Sequence, residues 1–489
     1  MSYHRGRDRT QVQLLPECLD DYVAPNAPVR FIDEYVEGLD FKELEFKYAQ
    51  TKTTGRRPYH PADLLKLYFY GYLYRIRSSR RLEAECGRNM ELIWLLGGLR
   101  PDFKTIADFR KDNIQTFKPL LKNFNLVCRR MDLFAAELVA IDGSKFKALN
   151  NTRRHYTQEQ LKELLGKIEK RIEEYLEELD HQDNQAQGVA AAPQGEALEE
   201  KLAELRDHKG RYDELLGQLQ AKDQKEVSLT DADSRKMKGA HGEHLMGYNL
   251  QVAVDSKNAL LVTAEVVQAA NDRNQLSQMA VAAKEELGVE RLQVVADKGY
   301  HDADQLQACE KAGVETFVPE QGTTSGQTKN GQRVFAKEQF AYDPQADVYR
   351  CPANQVLPRG HQSQKKGKDW VSYYHREACQ GCPLKSQCTT SSFRKIGRRL
   401  NEQVVERAAA RVAAAPQIVA ERKKIVEHVF GTLRNWGHDK FLLKGLKKVG
   451  GESSLSAVVY NLRRVINLRS IQEFRKALQG MAEAALAVG

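Results

Sequence analysis

The sequence lacks any run of 18 or more apolar residues, so it predicts no membrane-spanning helix. Its first ten residues, MSYHRGRDRT, contain no apolar signal region, and we therefore expect a cytoplasmic protein with no membrane partner. Neither positive nor negative charge is scarce, since the chain has 75 Lys and Arg and 66 Asp and Glu. The net charge of +9 is compatible with a polyanionic partner, but it is weak evidence because many enzymes are this basic.

Cysteine is also scarce, and four of the eight cysteines are scattered along the chain: Cys18, Cys86, Cys128 and Cys309. In a cytoplasmic protein, isolated cysteines are usually buried thiols rather than members of a disulfide framework. We therefore assign no disulfide to these four.

The other four cysteines lie within 38 residues: Cys351, Cys379, Cys382 and Cys388. One Cys-x-x-Cys pair with two further cysteines can supply four thiolates to a tetrahedral zinc site. The surrounding segment, 321–400, is polar and rich in loop-forming residues, so we expect it to need a structural metal in place of a core of its own. Free thiols and an iron–sulfur cluster are the alternatives.

Residues 61–116 have the pattern of several short helices. Pro61 suits the first turn of a helix, and Ser78, Ser79 and Thr105 are candidate caps for two more. Basic side chains recur on their polar faces. This pattern fits a DNA-binding unit resembling a helix-turn-helix, but it also fits a plain helical domain whose basic face is solvated.

Residues 155–222 have apolar positions three and four residues apart, in two runs that meet at a flexible tip, 181–195. Such heptads predict an antiparallel helical hairpin, with Lys209 as one polar exception in the apolar series. The hairpin is expected to be an arm for dimerisation or DNA contact, or an inert insertion.

Strand patterns on both sides of the hairpin predict a mixed α/β sheet with a parallel centre and an antiparallel edge. The strand segments are ELVAID (137–142), GYNLQVAVD (247–255), ALLVTAEVVQ (259–268), RLQVVAD (291–297) and VETFVPE (314–320). Such sheets bind ligands at the carboxyl ends of their parallel strands, where Asp142 and Asp297 are each expected. Taken singly, each aspartate could also be a solvated strand end.

A third carboxylate, Glu427, lies on a predicted helix, 421–437, and shares one face of it with Lys423 and Arg434. Carboxylates that approach one another need a neutralising cation, and Mg²⁺ prefers oxygen ligands and phosphate oxygens. Two such ions about 4 Å apart can promote an in-line displacement at phosphorus. Alone, Glu427 could instead form a salt bridge with Lys423, four residues earlier.

These motifs, in this order, resemble the DDE transposases of bacterial insertion sequences. The resemblance covers most of the chain and is carried by an N-terminal helical segment and three acidic motifs: RPYHPADLLKLYFYGYLYRIRSSRRLEAEC, VAIDGSKFKA, VVADKGYHD and VEHVFGTLRNWG. It implies an RNase H-like catalytic core. It also implies that Asp142, Asp297 and Glu427 form a catalytic triad holding two Mg²⁺ or Mn²⁺ ions.

In related groups the third motif often begins with a Tyr, followed three positions later by an Arg. The Glu comes four positions after that Arg, and a Lys comes seven positions after the Glu. Here Arg434 stands at the Lys position, Lys423 at the Arg position and Ala420 at the Tyr position, with Arg422 one residue out of register. The DNA-binding residues implied by the resemblance are Lys423, Arg434, Arg422, Lys298 and Trp436. A charged turn is the alternative for Lys298, and a packed aromatic is the alternative for Trp436.

The expected domains are an N-terminal helical, DNA-binding part (1–130), a discontinuous RNase H-like core (131–154, 223–320 and 401–470), the inserted hairpin (155–222), the Cys-rich, zinc-binding insertion (321–400) and a C-terminal tail (471–489). The expected function is metal-dependent cleavage of double-stranded DNA at the ends of an insertion sequence, followed by strand transfer into target DNA. The protein would act as a homodimer in the bacterial nucleoid. The alternatives are a nuclease without strand transfer and a catalytically silent DNA-binding regulator.

Overall fold

The computed structural model describes residues 18–50, 57–149, 155–185, 193–221, 226–228, 230–239, 242–320, 333–365 and 367–488. In this part of the chain the fold is mixed α/β, with a helical N-terminal region packed against a central sheet. Across the same residues, no helix combines the length and the apolar character that a bilayer span requires.

Six helices form the N-terminal region: α1 (Pro28–Glu37), α2 (Pro61–Leu73), α3 (Ser79–Cys86), α4 (Met90–Leu95), α5 (Phe103–Asp112) and α6 (Phe117–Arg130). Pro61 opens α2 and Ser78 precedes α3, as predicted. The prediction of Thr105 as a cap is wrong, because α5 begins three residues earlier than expected. Its cap is Asp102, whose carboxylate accepts hydrogen bonds from the backbone N–H groups of Lys104 and Thr105.

The helical hairpin lies between two short paired strands. After β1 (Leu138–Lys147) come β2 (His155–Thr157), α7 (Gln158–Gln185), α8 (Pro193–Ala221) and β3 (Glu226–Ser228), and β2 pairs antiparallel with β3. Leu161 and Leu219 share one apolar cluster, and Lys209 forms an ion pair with Glu169 at 2.8 Å. The two helices therefore run antiparallel, and the polar exception in the heptads is paired. Residues 186–192 of the predicted tip lie outside the described residues.

The central sheet has six strands and contains the candidate site. They are β1, β4 (Arg235–Lys238), β5 (His244–Asp255), β6 (Leu261–Val267), β7 (Leu292–Ala296) and β8 (Val314–Phe317), with α9 (Leu276–Leu287) and α10 (Ala303–Lys311) in the connections. β5 pairs antiparallel with β1, β4 and β6, whereas β7 lies parallel to β1 and β8. The predicted mixed sheet with an antiparallel edge is confirmed.

The predicted end of β1 at Asp142 is wrong. Beyond that residue the strand continues along β5, from Gly143 opposite Gln251 to Lys147 opposite Gly247. Only the parallel pairing with β7 stops there, at Ile141 opposite Ala296. The polar string GSKFK gave no strand signal, but tertiary pairing supplied the hydrogen bonds that keep it extended.

The Cys-rich segment forms two three-stranded sheets and two short helices. Its elements are β9 (Ala341–Asp343), β10 (Val348–Arg350), β11 (Val356–Leu357), β12 (Arg359–Lys365), β13 (Lys368–Tyr373), α11 (Arg376–Gln380), α12 (Lys385–Cys388) and β14 (Ile396–Arg399). The expectation that this segment builds no core is wrong, because six buried side chains form one: Phe340, Tyr349, Leu357, Val371, Tyr373 and Ile396. This core is small, and a core of this size usually needs a further source of stability.

Four C-terminal helices complete the fold: α13 (Glu402–Ala414), α14 (Pro416–Asn435), α15 (Leu446–Leu468) and α16 (Ile471–Val488). The expected C-terminal tail is therefore a helix, and its Phe474 packs against Phe31 of α1 at a ring-centroid distance of 5.4 Å. One hydrophobic cluster runs from the N-terminal helices through the sheet to α16. The N-terminal region and the sheet thus share a core.

Two adjacent glycines of α15 provide a matched test of this packing. A Cβ at Gly451 would lie 2.4 Å from the carbonyl oxygen of Ile114, whereas nothing lies within 4 Å of a Cβ at Gly450. Gly451→Ala should therefore cost about 1–3 kcal/mol in the free energy of unfolding, and Gly450→Ala should add about 0.5–1 kcal/mol. Thermal unfolding of both variants checks the prediction, and equal shifts in one direction would contradict it.

Candidate active site

Asp142 and Asp297 are brought side by side by the pairing of β1 with β7. Because Ile141 pairs with Ala296 in parallel register, the next residue of each strand is an aspartate, at the point where the strands separate. Paired residues of parallel strands project to the same face of the sheet. One oxygen of Asp297 also accepts a hydrogen bond from the backbone N–H of Gly299 at 2.7 Å. Asp297 thus caps the short turn that follows β7.

The carboxylate of Asp142 is largely buried and has two hydrogen-bond donors. The backbone N–H of Gly143 donates to Oδ1 at 2.8 Å, and Nη1 of Arg422 donates to Oδ2 at 2.8 Å. Burial raises the pKa of Asp142. The negative charge of Asp297 raises that pKa further, and the Arg422 guanidinium opposes both effects. The pair of carboxylates is therefore a place where a bound cation would relieve repulsion.

Helix α14 lies across the face of the sheet to which the Asp142 side chain projects. Its buried side chains are Ile425, Val426, Val429, Phe430 and Leu433. Phe430 packs against Phe146 of β1, and Nη2 of Arg434 donates to the hydroxyl of Ser144 at 2.6 Å. Ser144 is two residues beyond Asp142, so this flank of the helix faces the carboxyl end of the parallel pair.

Glu427 is exposed and lies on that flank of α14. It precedes Arg434 by seven residues, which places the two about 20° apart around the helix. Although the side chains of Lys423 and Glu427 are four residues apart, they form no ion pair in the described structure. The salt-bridge alternative for Glu427 is therefore not realised here.

The three carboxylates do not yet form a complete metal site. Over the described ranges, no group of three or more His, Cys, Asp or Glu side chains is placed to hold a metal ion. Asp142 and Asp297 are brought together, but Glu427 stands apart on the overlooking helix. An all-carboxylate donor set suits a hard cation such as Mg²⁺ or Mn²⁺.

The five predicted DNA-contact residues fall into two groups. Lys298, Lys423 and Arg434 are exposed. The Arg422 side chain is only 14% exposed and is bound to Asp142. Trp436 is 7% exposed, and its ring packs beside His438 and Tyr460. The burial of Trp436 favours the packing alternative, since little of its ring is available to stack on a base.

A polar network on the opposite face of the sheet was not predicted. The carboxylate of Asp272 accepts hydrogen bonds from Lys145, Asn249 and Gln251. Gln251 in turn accepts one from the hydroxyl of buried Tyr300 at 2.5 Å. The network thus connects β1, β5 and the turn after Asp297. The available signal was the pair of polar residues in GYNLQVAVD, at positions where a buried strand should be apolar.

The four clustered cysteines line one cavity of about 20 Å³: Cys351, Cys379, Cys382 and Cys388. Burial raises the pKa of the Cys388 thiol, and the three neighbouring cysteines add to the rise. The sequence prediction that these residues come together is therefore supported. Their sulfur atoms are nevertheless among the side chains that form no metal-holding group in the described residues.

Two family models match the chain, and both describe transposases. Residues 17–112 match the model described as "Transposase domain (DUF772)", and residues 350–466 match "Transposase DDE domain". The second match contains Glu427 and the four clustered cysteines, whereas Asp142 and Asp297 lie outside both matched ranges. The chain therefore matches two transposase domain models, which is consistent with a DDE transposase of an insertion sequence and confirms the resemblance noted from the sequence.

A comparison with solved structures finds the piggyBac transposase synaptic complex with hairpin DNA. It covers 93% of this chain and 78% of the other, with 8% sequence identity and a TM-score of 0.27. A similarity this low carries no argument about fold or function. No curated protein matches the sequence.

Proposed function

We propose that the protein is a transposase that cuts DNA at the ends of an insertion sequence and transfers the freed 3′ ends into target DNA. One observation carries the proposal. Asp142 and Asp297 are register neighbours at the end of a parallel strand pair, beneath the helix that bears Glu427. The two transposase family matches support the assignment independently.

We propose that the central sheet belongs to an RNase H-like core. Support comes from a central β1 with antiparallel β5 and β6 on one side and parallel β7 and β8 on the other. The division into residues 1–130, the core segments 131–154, 223–320 and 401–470, and insertions at 155–222 and 321–400 belongs to the same proposal. Each insertion has an apolar cluster separate from the main core, and the hairpin cluster extends to Val227 of β3, five residues beyond the proposed boundary at 222.

The chemistry is proposed to use Asp142, Asp297 and Glu427 as ligands. Two Mg²⁺ or Mn²⁺ ions held there would activate the attacking oxygen and stabilise the leaving oxygen at phosphorus. The exposed cations of Lys423, Arg434 and Lys298 would bind the flanking phosphates. Because Arg434 already bonds to Ser144, its guanidinium is directed toward the part of β1 just beyond Asp142.

The test is a reaction of purified protein with DNA carrying the element ends. Wild-type protein should nick these ends only with Mg²⁺ or Mn²⁺ and should join them to a supercoiled plasmid, whereas Glu427→Gln should do neither. Glu421→Gln, an exposed carboxylate on another face of α14, is the matched control and should behave as wild type. Cleavage without joining would indicate a nuclease, and DNA binding without cleavage would indicate a silent regulator.

The partners proposed are double-stranded DNA of the element ends and target, and a second copy of the chain. The antiparallel hairpin of α7 and α8 is the proposed dimerisation arm, since the side chains described between 159–178 and 199–221 are largely exposed. Sedimentation with end DNA should give two chains per complex. One chain per complex that still transfers strands would exclude the dimer.

We also propose that the clustered cysteines hold one structural Zn²⁺, supported by their common cavity and by the small size of the local core. Purified protein should contain about one zinc per chain, and Cys382→Ser should lose the metal and unfold this segment, because the thiolates supply part of its folding energy. Cys309→Ser, which removes a buried thiol elsewhere, should retain zinc. Four reactive thiols without metal would contradict the proposal, and bound iron would favour a cluster.

A further inference from the structure

The ion pair between Arg422 and Asp142 lies inside the proposed catalytic site. Nη1 of Arg422 is 2.8 Å from Oδ2 of Asp142, and the two side chains are 14% and 20% exposed. Arg422 lies on α14, the helix that also bears Glu427. The Arg422 guanidinium is therefore bound to a carboxylate oxygen that, in the proposed function, is a ligand of a divalent ion.

The two uses of this carboxylate oppose one another. The positive charge of the guanidinium repels a divalent ion held by the same carboxylate, and the lone pair that accepts the Arg422 hydrogen bond is not available to that ion. We propose that Arg422 is an internal counter-ion: it neutralises Asp142 in the metal-free protein and leaves when the divalent ions bind. This inference rests on the proposed function, because it takes Asp142 and Asp297 as the metal-holding pair.

The displaced guanidinium needs a new anion, and the DNA backbone provides one. Arginine binds phosphate oxygens as readily as carboxylates, in the same two-pronged geometry. A phosphate beside the site would draw Arg422 away from Asp142 and so free the carboxylate. Metal binding and DNA binding should therefore strengthen each other through this residue, since coupling between two sites is reciprocal.

Two other arginines provide controls for this role. Arg434 lies on the same helix near the same strand, but it donates to the hydroxyl of Ser144 rather than to a carboxylate. Arg411 forms an ion pair with Glu310 at 3.1 Å, with exposures of 20% and 22% that match the Arg422 pair. The first control measures the effect of a nearby positive charge. The second measures the effect of removing a similarly buried arginine away from the site, where Glu310 keeps Arg407 as a second partner at 2.6 Å.

The experiment is a titration of full-length, metal-free protein with Mn²⁺, in which free Mn²⁺ is measured by electron paramagnetic resonance. Arg422→Gln should lower the Mn²⁺ dissociation constant roughly tenfold. Arg411→Gln should leave it unchanged, and Arg434→Gln should lower it less. Adding duplex DNA of the element ends should tighten Mn²⁺ binding to wild type more than to Arg422→Gln, which has no counter-ion left to displace.

Two results would overturn the inference: Mn²⁺ affinity in folded Arg422→Gln that equals or falls below wild type, or equal tightening in Arg434→Gln. If Arg422→Gln does not fold, Arg422→Lys is the substitute, and its shorter reach should give a smaller tightening. Asp142→Asn separates the two proposals. If it binds Mn²⁺ as wild type does, the metal assignment of the proposed function fails. If it loses Mn²⁺ while Arg422→Gln gains nothing, only the counter-ion role fails.

Discussion

Asp297→Asn is expected to reduce cleavage of end DNA by about a thousandfold or more, because a lost metal ligand removes several kcal/mol of transition-state stabilisation. The fold should survive. An asparagine oxygen can still accept the hydrogen bond that the backbone N–H of Gly299 donates to Asp297. The substitution also removes one of two adjacent negative charges, so the metal-free melting temperature should not fall. Cleavage rates and thermal unfolding of the two proteins check both parts.

Asp304→Asn is a suitable control for this substitution. Asp304 is a nearby carboxylate, 56% exposed, that lies in the first turn of α10. The Asp304→Asn protein should cleave DNA at the wild-type rate. Retained cleavage in Asp297→Asn would mean that the aspartate pair does not carry the chemistry, and equal loss in both variants would indicate a general effect of charge on DNA binding.

Glu452→Ala is expected to cause the largest loss of stability, about 3–5 kcal/mol, because it would leave a buried charge without its partner. The Glu452 side chain is 1% exposed and forms a 2.5 Å ion pair with Arg77. It also accepts hydrogen bonds from the backbone N–H groups of Leu442 and Leu443. Arg77 lies between α2 and α3, so the pair connects the N-terminal helices to α15.

Thermal and urea unfolding of Glu452→Ala measure this effect. Glu163→Ala, which removes one side of an exposed pair on α7, should leave the unfolding transition where it is in wild type. The double variant with Arg77→Ala should lose less stability than the sum of the single variants, since each single change leaves a partner unpaired. A Glu452→Ala protein as stable as wild type would show that solvent reaches this pair.

The sequence predicted the elements around the site well because their apolar periods are regular. β7 and its aspartate could be read from VVAD, and the hairpin of α7 and α8 from its heptads. β1 was predicted too short, because the polar residues after Asp142 are extended only by pairing with β5. Periodicity reports burial along one segment, whereas such a pairing depends on another strand about a hundred residues away.

The site was predicted less completely than the fold. The two aspartates were proposed from the rule that parallel strands carry ligands at their carboxyl ends. Glu427 was noticed for its basic neighbours on one helix face, but only the family resemblance joined it to the two aspartates as a triad. The ion pair of Arg422 with Asp142 and the hydrogen bonds of Asp272 could not be predicted. These contacts join side chains that are far apart in the sequence, and no regular spacing connects them. Glu452 was missed for the same reason, since nothing in its segment marks a buried acid.

The most direct test of the central claim is anomalous diffraction at the manganese edge from crystals of the protein with end DNA and Mn²⁺. We predict manganese between the carboxylate oxygens of Asp142 and Asp297, with Glu427 as a further ligand and Arg422 turned away from Asp142. Manganese bound elsewhere, or Arg422 still paired with Asp142 while DNA is being cut, would contradict this account.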